Sequence, residues 1–463
     1  MSFVLYDIIF LVLFGIAAGI FLFIKQKKLK REGLLFLYKT SIGLKVIDYL
    51  SKRYKKELKA LSYVVVVLGY LLMALMIYFL FQLIGIFSQP ELVKLIKIPP
   101  IMPLIPYLPS LFKVTWLPNF YFTYWLIAIA LVAIAHEGFH GVYARLNKIR
   151  IKSTGFGFLG PFLAFFVEQD ENDMKKAKIF PQLSVLGAGV FANVALGLIL
   201  FIIMMAFFSL AYAPSGIVFN DYTFSVIPAS LIANISLGNE TVQINGMNLT
   251  QGFIENKSYF LWQEYIGEKF EAGEQVKLYQ DQPAVRAGLK GAIISIEGKD
   301  IRSHEEVGKL LDKLKPGDEI LIKTKYNKEM LEYNIRLGES YEQEGKAVIG
   351  IAYLEGKLSG VKGIIYSIVR AFKDPAISYD ARGNADFTEF VYNFFWWLVL
   401  INFSIALVNM LPVGIFDGGR FFYLTILAVT RSEKIAKKAF DFSTYLMLLV
   451  VLLLMFLWFI RIW

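Results

Sequence analysis

Apolar positions gather into six runs, each roughly the 20 residues that a hydrocarbon core requires. They are Ile8 to Ile24, Leu61 to Phe87, Tyr121 to Val142, Leu183 to Tyr212, Phe390 to Leu411 and Phe442 to Ile460. The pattern predicts a polytopic α-helical membrane protein of about six transmembrane helices. Asp7 precedes the first run, with no basic start and no small-residue cleavage site, so a retained helix is expected there. A signal-anchor is the nearest alternative.

Between the runs the pattern changes three times. Pro90, Pro99, Pro100, Pro103, Pro106, Pro109 and Pro118 remove too many N–H donors for a continuous helix, so residues 89–118 are expected to form an outer, membrane-hugging loop. Gly155 to Val167 is apolar but too short to cross, and Gly160-Pro161 at its centre signals a turn. A re-entrant hairpin fits, lying against protein or a wet cavity, with a free edge able to accept another strand. From Pro214 to Gly360 the alternation is that of a soluble α+β domain, after which Val361 to Lys373 reads as an outer interfacial helix or the edge of that domain. The expected divisions are 1–88, two spans and a basic linker; 89–118, the Pro-rich loop; 119–213, a catalytic core; 214–360, the inserted domain; and 361–463, the C-terminal spans.

Composition and charge refine this picture. Of 463 residues, 56% are hydrophobic and 16% aromatic. The net charge of +10 would suit nucleic acid, but the cations sit beside the apolar runs, as the positive-inside bias expects, and no nucleic-acid partner is inferred. Lys25, Lys27, Lys28, Lys30 and Arg31 follow the first run, and Lys52, Arg53, Lys55, Lys56 and Lys59 precede the second. That linker is therefore expected on the cytoplasmic side, which puts both termini and the inserted domain outside. Four N-x-S/T sequons, starting at Asn234, Asn239, Asn248 and Asn256, are compatible with an outer face. The chain has no cysteine, so disulfides, thiolate metal sites and thiol catalysis are excluded.

The chain has three histidines, and two of them stand four apart inside the third run, in Ala135-His136-Glu137-Gly138-Phe139-His140-Gly141. On a helix, residues four apart share a face, so two imidazoles can aim at one metal while Glu137 flanks them as a general base. A hydrolytic zinc site usually takes three protein ligands and leaves a fourth position to water. His304 lies in the inserted domain among Arg302, Glu305 and Glu306, reads as a solvated surface residue, and is set aside. The best remaining third ligand is Asp417, in Asn409-Met410-Leu411-Pro412-Val413-Gly414-Ile415-Phe416-Asp417-Gly418-Gly419. Charge bias brings both stretches to one side: counting back from Arg145, the histidines sit roughly 8 to 14 Å inside the cytoplasmic surface at about 1.5 Å per residue.

Two resemblances follow. The segments 283–289, 293–301 and 315–320, in the order helix, strand, turn and strand, resemble the PDZ family. That resemblance implies a peptide groove near Val348, with Ile349, Gly350 and Ile351 as candidate contacts. Pro228-Ala229, 242–246 and 272–276 read as a degenerate earlier copy, so the region is two modules or one with an insertion. HExxH in one span, NxxPxxxxDGG in a later one and PDZ-like sequence between them resemble the site-2 protease family of intramembrane zinc metalloproteases. The resemblance implies one catalytic Zn²⁺ held by His136, His140 and Asp417, with Glu137 as the base. It also implies that Asn193, in the motif Gly189-Val190-Phe191-Ala192-Asn193, lies beside the reacting carbonyl. Read without it, Asn193 is an interhelical hydrogen-bonding residue.

Gly160, Gly189, Asn409 and Pro412 complete the candidate substrate contacts. The expected partners are transmembrane protein substrates, a peptide or substrate ectodomain at the PDZ-like region, and the lipid bilayer. A non-enzymatic adaptor with a structural metal is the alternative, but a structural site has no use for Glu137 and normally closes its fourth position. A membrane HExxH peptidase that trims prenylated proteins would expect a glutamate ligand rather than the DGG element.

Overall fold

The structure, a computed structural model, describes residues 3–32, 35–89, 99–112, 114, 117–159, 162–244, 247–255, 257–266, 274–327, 329–353, 367, 370 and 372–462. The Gly160-Pro161 turn, Pro90 and most of 361–373 lie outside these residues. The chain divides into two compact units, Met1–Met204 with Phe390–Trp463 and Met205–Glu389.

Among the described residues, eight helices of ten or more residues frame the first unit: α1 (Phe3–Lys25), α2 (Leu44–Arg53), α3 (Lys55–Phe87), α4 (Phe122–Leu146), α5 (Ile179–Ala211), α6 (Ala385–Asn409), α7 (Asp417–Thr430) and α8 (Glu433–Ile462). Among the described residues six of these (α1, α3, α4, α5, α6 and α8) are long and apolar enough to cross a membrane, as the hydropathy predicts. Their outer faces carry exposed Leu13, Val67, Ile202 and Leu452, which suits lipid as solvent. Their inner faces form a core that includes Val65, Val185, Ala188, Val190, Met410 and Phe421.

Asp7 does more than precede the first span. Its carboxylate is buried and accepts hydrogen bonds from the N–H groups of Phe122 (2.6 Å) and Thr123 (2.9 Å) and from the Thr123 hydroxyl (2.5 Å). Two of the orphan donors at the start of α4 are thus satisfied by a residue 115 positions earlier, and its negative charge faces the positive end of that helix. Tyr107 donates to the same carboxylate. Burial and the Asp7 charge push the Tyr107 phenol above its ordinary value.

The expected hairpin is present, but it belongs to a larger sheet. β1 (Leu29–Glu32), β2 (Leu35–Thr40), β3 (Ile151–Leu159) and β4 (Phe162–Gln169) form a four-stranded antiparallel sheet in that order. The basic linker after α1 therefore supplies two strands, and β2 covers the β3 edge in the register Phe36↔Phe158, Tyr38↔Phe156 and Thr40↔Thr154. A Cβ on Gly155 would run into the Tyr38 carbonyl oxygen, so this close pairing requires glycine. Among the described residues no strand pairs with the outer edge of β4, which lies along α4. The amphipathic α2 packs on α4, with Ile47 filling the space left by Gly141 and Asp48 paired to Arg145 at 2.9 Å.

Among the described residues the second unit contains two larger sheets and two short two-stranded pairings, with a main core that includes Ile217, Leu249, Phe260, Ile293 and Ile322 and a smaller one that includes Leu261 and Leu278. In the five-stranded sheet the order is Phe224–Pro228, Gln275–Gln280, Lys257–Trp262, Met247–Ile254, Ser236–Ile244. In the other it is Glu329–Arg336, Glu319–Tyr326, Ala292–Ile296, Tyr212–Ile217, Ile377–Ala381, with Lys299–Asp300 pairing beside Ala292–Ile296. The unit thus reaches past 214–360 at both ends, because its first and last strands pair with each other. The short helix Pro283–Arg286 and the strand Ala292–Ile296 stand in the order expected from the sequence. Burial pushes the Asp281 carboxyl up, but hydrogen bonds from Arg286 and Ser258 outweigh it and hold the group below its ordinary range.

Two local expectations change. Ile349 is buried in the core, the Gly350 carbonyl accepts from Thr223 N–H at 3.0 Å, and Ile351–Ala352 pairs with Asp221–Tyr222. One backbone edge of that segment is therefore engaged within the unit. His304, expected on a solvated surface, is half-buried with its ring 5.3 Å from that of Tyr353, because the helix His304–Leu311 turns its first residue inward.

Candidate active site

α4 carries the two imidazoles on one face, and both are buried, at 8% and 5% exposure for His136 and His140. Their Nε2 atoms are 3.0 Å apart. Asp417 Oδ2 lies 3.1 Å from the first and 3.2 Å from the second. Residues 281 positions apart thus meet at one point.

Backbone packing brings Asp417 there. α6 ends at Asn409, the chain turns through 410–416, and α7 starts at Asp417 itself. A Cβ on Gly418 would overlap the Met410 backbone, and one on Gly419 the Val413 carbonyl, so the two glycines let the first turn of α7 nest on the preceding turn. The Pro412 carbonyl accepts from the Ser443 hydroxyl at 3.1 Å, tying that turn to α8. Asn409, half-buried at the end of α6, and Pro412 therefore stand near the site through the chain that positions Asp417.

Gly189 supplies the room. A Cβ there would lie 2.5 Å from His140 Nε2 and 2.6 Å from His136 Cε1. One turn on, Asn193 is fully buried with its amide nitrogen 3.1 Å from His136 Nδ1. This contact is with the His136 ring nitrogen that does not face Asp417. The next turn presents Gly197 to the buried Asn402 and to Phe403, so one stripe of α5 carries all three contacts.

Three donor atoms at 3.0–3.2 Å from one another come within a few tenths of an ångström of the edge, about 3.3–3.4 Å, of a tetrahedron with bonds of about 2.0–2.1 Å. A carboxylate and two imidazole nitrogens this close, in so buried a site, need a cation or proton among them. His140 Nδ1 donates to the Val185 carbonyl at 2.7 Å, which leaves the Nε2 lone pair facing the other two donors. His136 reaches the same state with the isosteric amide of Asn193 turned so that its oxygen accepts from Nδ1–H. The residues fit a zinc ion, which His136, His140 and Asp417 would hold. His136, Glu137 and His140 offer ligand atoms all within 4.8 Å of one another. Glu137 Oε2 accepts from the N–H of Val167 at 3.0 Å, so the base candidate touches the free edge of β4.

An N₂O donor set with a carboxylate beside it, buried among membrane-length helices, defines a membrane-embedded metallohydrolase. Residues 124–454 match the model of Peptidase family M50, and the chain belongs to that family. Membership implies a metalloprotease; zinc is the metal of the family in general. With six candidate spans, the protein is a multi-pass membrane protein. Comparison with curated proteins finds no match.

Several contributors carry no motif. The Val185 carbonyl and the Val167 N–H are backbone groups, for which no residue type is diagnostic. Asp7 has a signal, a lone acid ahead of an apolar run, but nothing local names its partner.

The Asn193 contact yields an expected result. Asn193→Ala leaves His136 free to rotate and change tautomer, and zinc affinity falls about 10- to 100-fold. Competition with a fluorescent chelator measures it. Asn193→Asp, which still accepts from Nδ1–H, retains most of the affinity; equal losses in both variants would remove the orienting role.

Proposed function

We propose that the protein is an intramembrane zinc metalloprotease that hydrolyses peptide bonds within or next to transmembrane segments of other membrane proteins. The observation that carries this reading is the convergence of His136, His140 and Asp417 with Glu137 beside them. A zinc ion held by the three ligands supplies the Lewis acidity that makes water a nucleophile near neutral pH. Glu137 accepts the proton of the attacking water and delivers it to the departing amine. His136 and His140 are oriented by the Asn193 amide and the Val185 carbonyl, so that both Nε2 atoms face Asp417.

A helical substrate shields its peptide bonds, so the cleaved segment must be extended, and residues that break helices favour cleavage. The unpaired edge of β4 supports capture of such a segment by strand addition, since it runs past Glu137. The PDZ-like region, one module or two, is proposed to bind a peptide or the ectodomain of the substrate outside the membrane. The charge distribution supports an active site near the cytoplasmic side and both termini outside.

The test is metal removal from the purified protein in detergent or vesicles. Dialysis against a strong chelator is expected to abolish cleavage of a single-span substrate, and stoichiometric zinc to restore it. Undiminished cleavage by protein shown to be zinc-free would overturn the reading.

A further inference from the structure

A cavity of about 480 Å³ lies between the inner face of the sheet, α2, and the face of α4 that carries Ile134, Gly138 and Val142. Its wall is apolar except for Thr40, Thr154 and Glu137. The threonines are engaged with each other and with local backbone, Thr154 donating to the Ile42 carbonyl at 2.7 Å. The remaining polar group is the carboxylate that serves the metal site, one residue from His136 on the same helix. The cavity therefore borders the carboxylate that lies beside the metal ligands.

Its shape follows from which residues are small and which segment closes it. A Cβ on Gly138 would meet nothing within 4 Å, so the floor beside Glu137 is open space. Val46, Ile47 and Leu50 of α2 form the opposite wall. That wall precedes residues 124–454, where the family match lies, so it is contributed by the N-terminal part of this chain. Along β4, Val167 pairs with Thr154 and Phe165 with Phe156 across the sheet, which puts these four side chains on one face, and all four line the cavity. The Val167 N–H points away from β3, to Glu137. In an extended segment added to that edge, alternate side chains project to the same face, into the cavity.

We infer that this cavity is a substrate side-chain pocket. It takes a large apolar side chain, aromatic or branched aliphatic, from the extended segment next to the cleaved bond, and α2 sets the limit of its size. This rests on the protease reading above. Transmembrane segments are rich in such side chains, and a wall that is apolar apart from two engaged threonines and the Glu137 carboxylate leaves most of a charged side chain desolvated.

The experiment uses the full chain and a series of single-span substrates with Ala, Leu, Phe or Trp at each position flanking the cleaved bond. Wild type is expected to prefer Phe to Ala at one of these positions by about tenfold or more in kcat/KM. Gly138→Leu fills the floor, and this Phe/Ala ratio is expected to fall at least about tenfold. An unchanged ratio in a variant that still cleaves would overturn the pocket, and a lipid chain as occupant would give that result.

A second measurement does not depend on turnover. The chain has no cysteine, and Val46, 59% exposed, faces the cavity mouth. In Glu137→Gln protein treated with a thiol oxidant such as copper–phenanthroline, Val46→Cys is expected to form a disulfide with a cysteine scanned through the substrate at one or two positions beside the cleaved bond. Crosslinking at no position would overturn the pocket. Failure of the protease reading itself looks different: wild type would then show no cleavage that Glu137→Gln abolishes, whatever the crosslinks.

Discussion

Glu137→Gln is expected to lower the rate of substrate cleavage by about 10²- to 10⁴-fold, the range that a positioned acid–base group contributes, while zinc content remains that of wild type. The two halves of this result come from different features of the site. The carboxylate of Glu137 lies within 4.8 Å of the histidine ligand atoms but accepts from Val167 N–H and is not part of the 3.0–3.2 Å triangle made by His136, His140 and Asp417, so its loss is expected to leave those ligands intact. Glutamine is nearly isosteric and its amide oxygen can still accept from Val167 N–H, so the edge of β4 keeps its contact with α4. What disappears is a group able to take up and return a proton. Metal analysis alongside single-turnover cleavage of a membrane-embedded substrate separates the two effects. Full activity in the glutamine protein would remove Glu137 from proton transfer, and loss of zinc together with activity would make it a ligand.

Features set by neighbours along the chain are legible in the amino-acid sequence. The six spans follow from runs of Leu, Ile, Val and Phe, because crossing a hydrocarbon core is a requirement on local composition. His136, Glu137 and His140 are legible because the helical repeat fixes how side chains four apart face. Asp417 is legible through residue type: with no cysteine and His304 in the inserted domain, an acid beside two glycines near the end of a later span remains.

Pairings between distant segments are not legible in this way. Leu35 to Thr40 alternates weakly and sits in a basic linker, so its place beside β3 depends on a partner more than 100 residues away. Asp7 is a lone acid whose meaning depends on the start of α4. Asn193 has a motif, but the ring nitrogen it touches is set by the rotation of α5 against α4. The strands 212–217 and 377–381 pair across the whole inserted region, so no local boundary marks the ends of that unit.

Gly189→Ala tests how tightly that rotation is held. In an isolated helix the exchange would stabilise by about 1 kcal/mol, so a loss of zinc in this variant cannot come from a weaker helix. Zinc content and cleavage are nevertheless expected to fall at least about tenfold, as in Asp417→Ala, because misplacing a ligand by about 1 Å is enough to disable a site. The added methyl would lie 2.5 Å from His140 Nε2 and 2.7 Å from His136 Nε2, where donor lone pairs converge. α5 cannot easily draw back to admit it: Val185 and Asn193, which hold the far nitrogens of the same two rings, are on that helix, one turn to either side of Gly189. Relief of the overlap would therefore break the contacts that orient the ligands. Gly85→Ala is the control, since a Cβ there meets nothing within 4 Å and should leave zinc and activity unchanged. Asp417→Ala reaches the same loss by removing a ligand and adding space. If Gly189→Ala keeps its zinc while Asp417→Ala loses it, α5 does not press on the imidazoles, and the site tolerates more movement than its contacts imply.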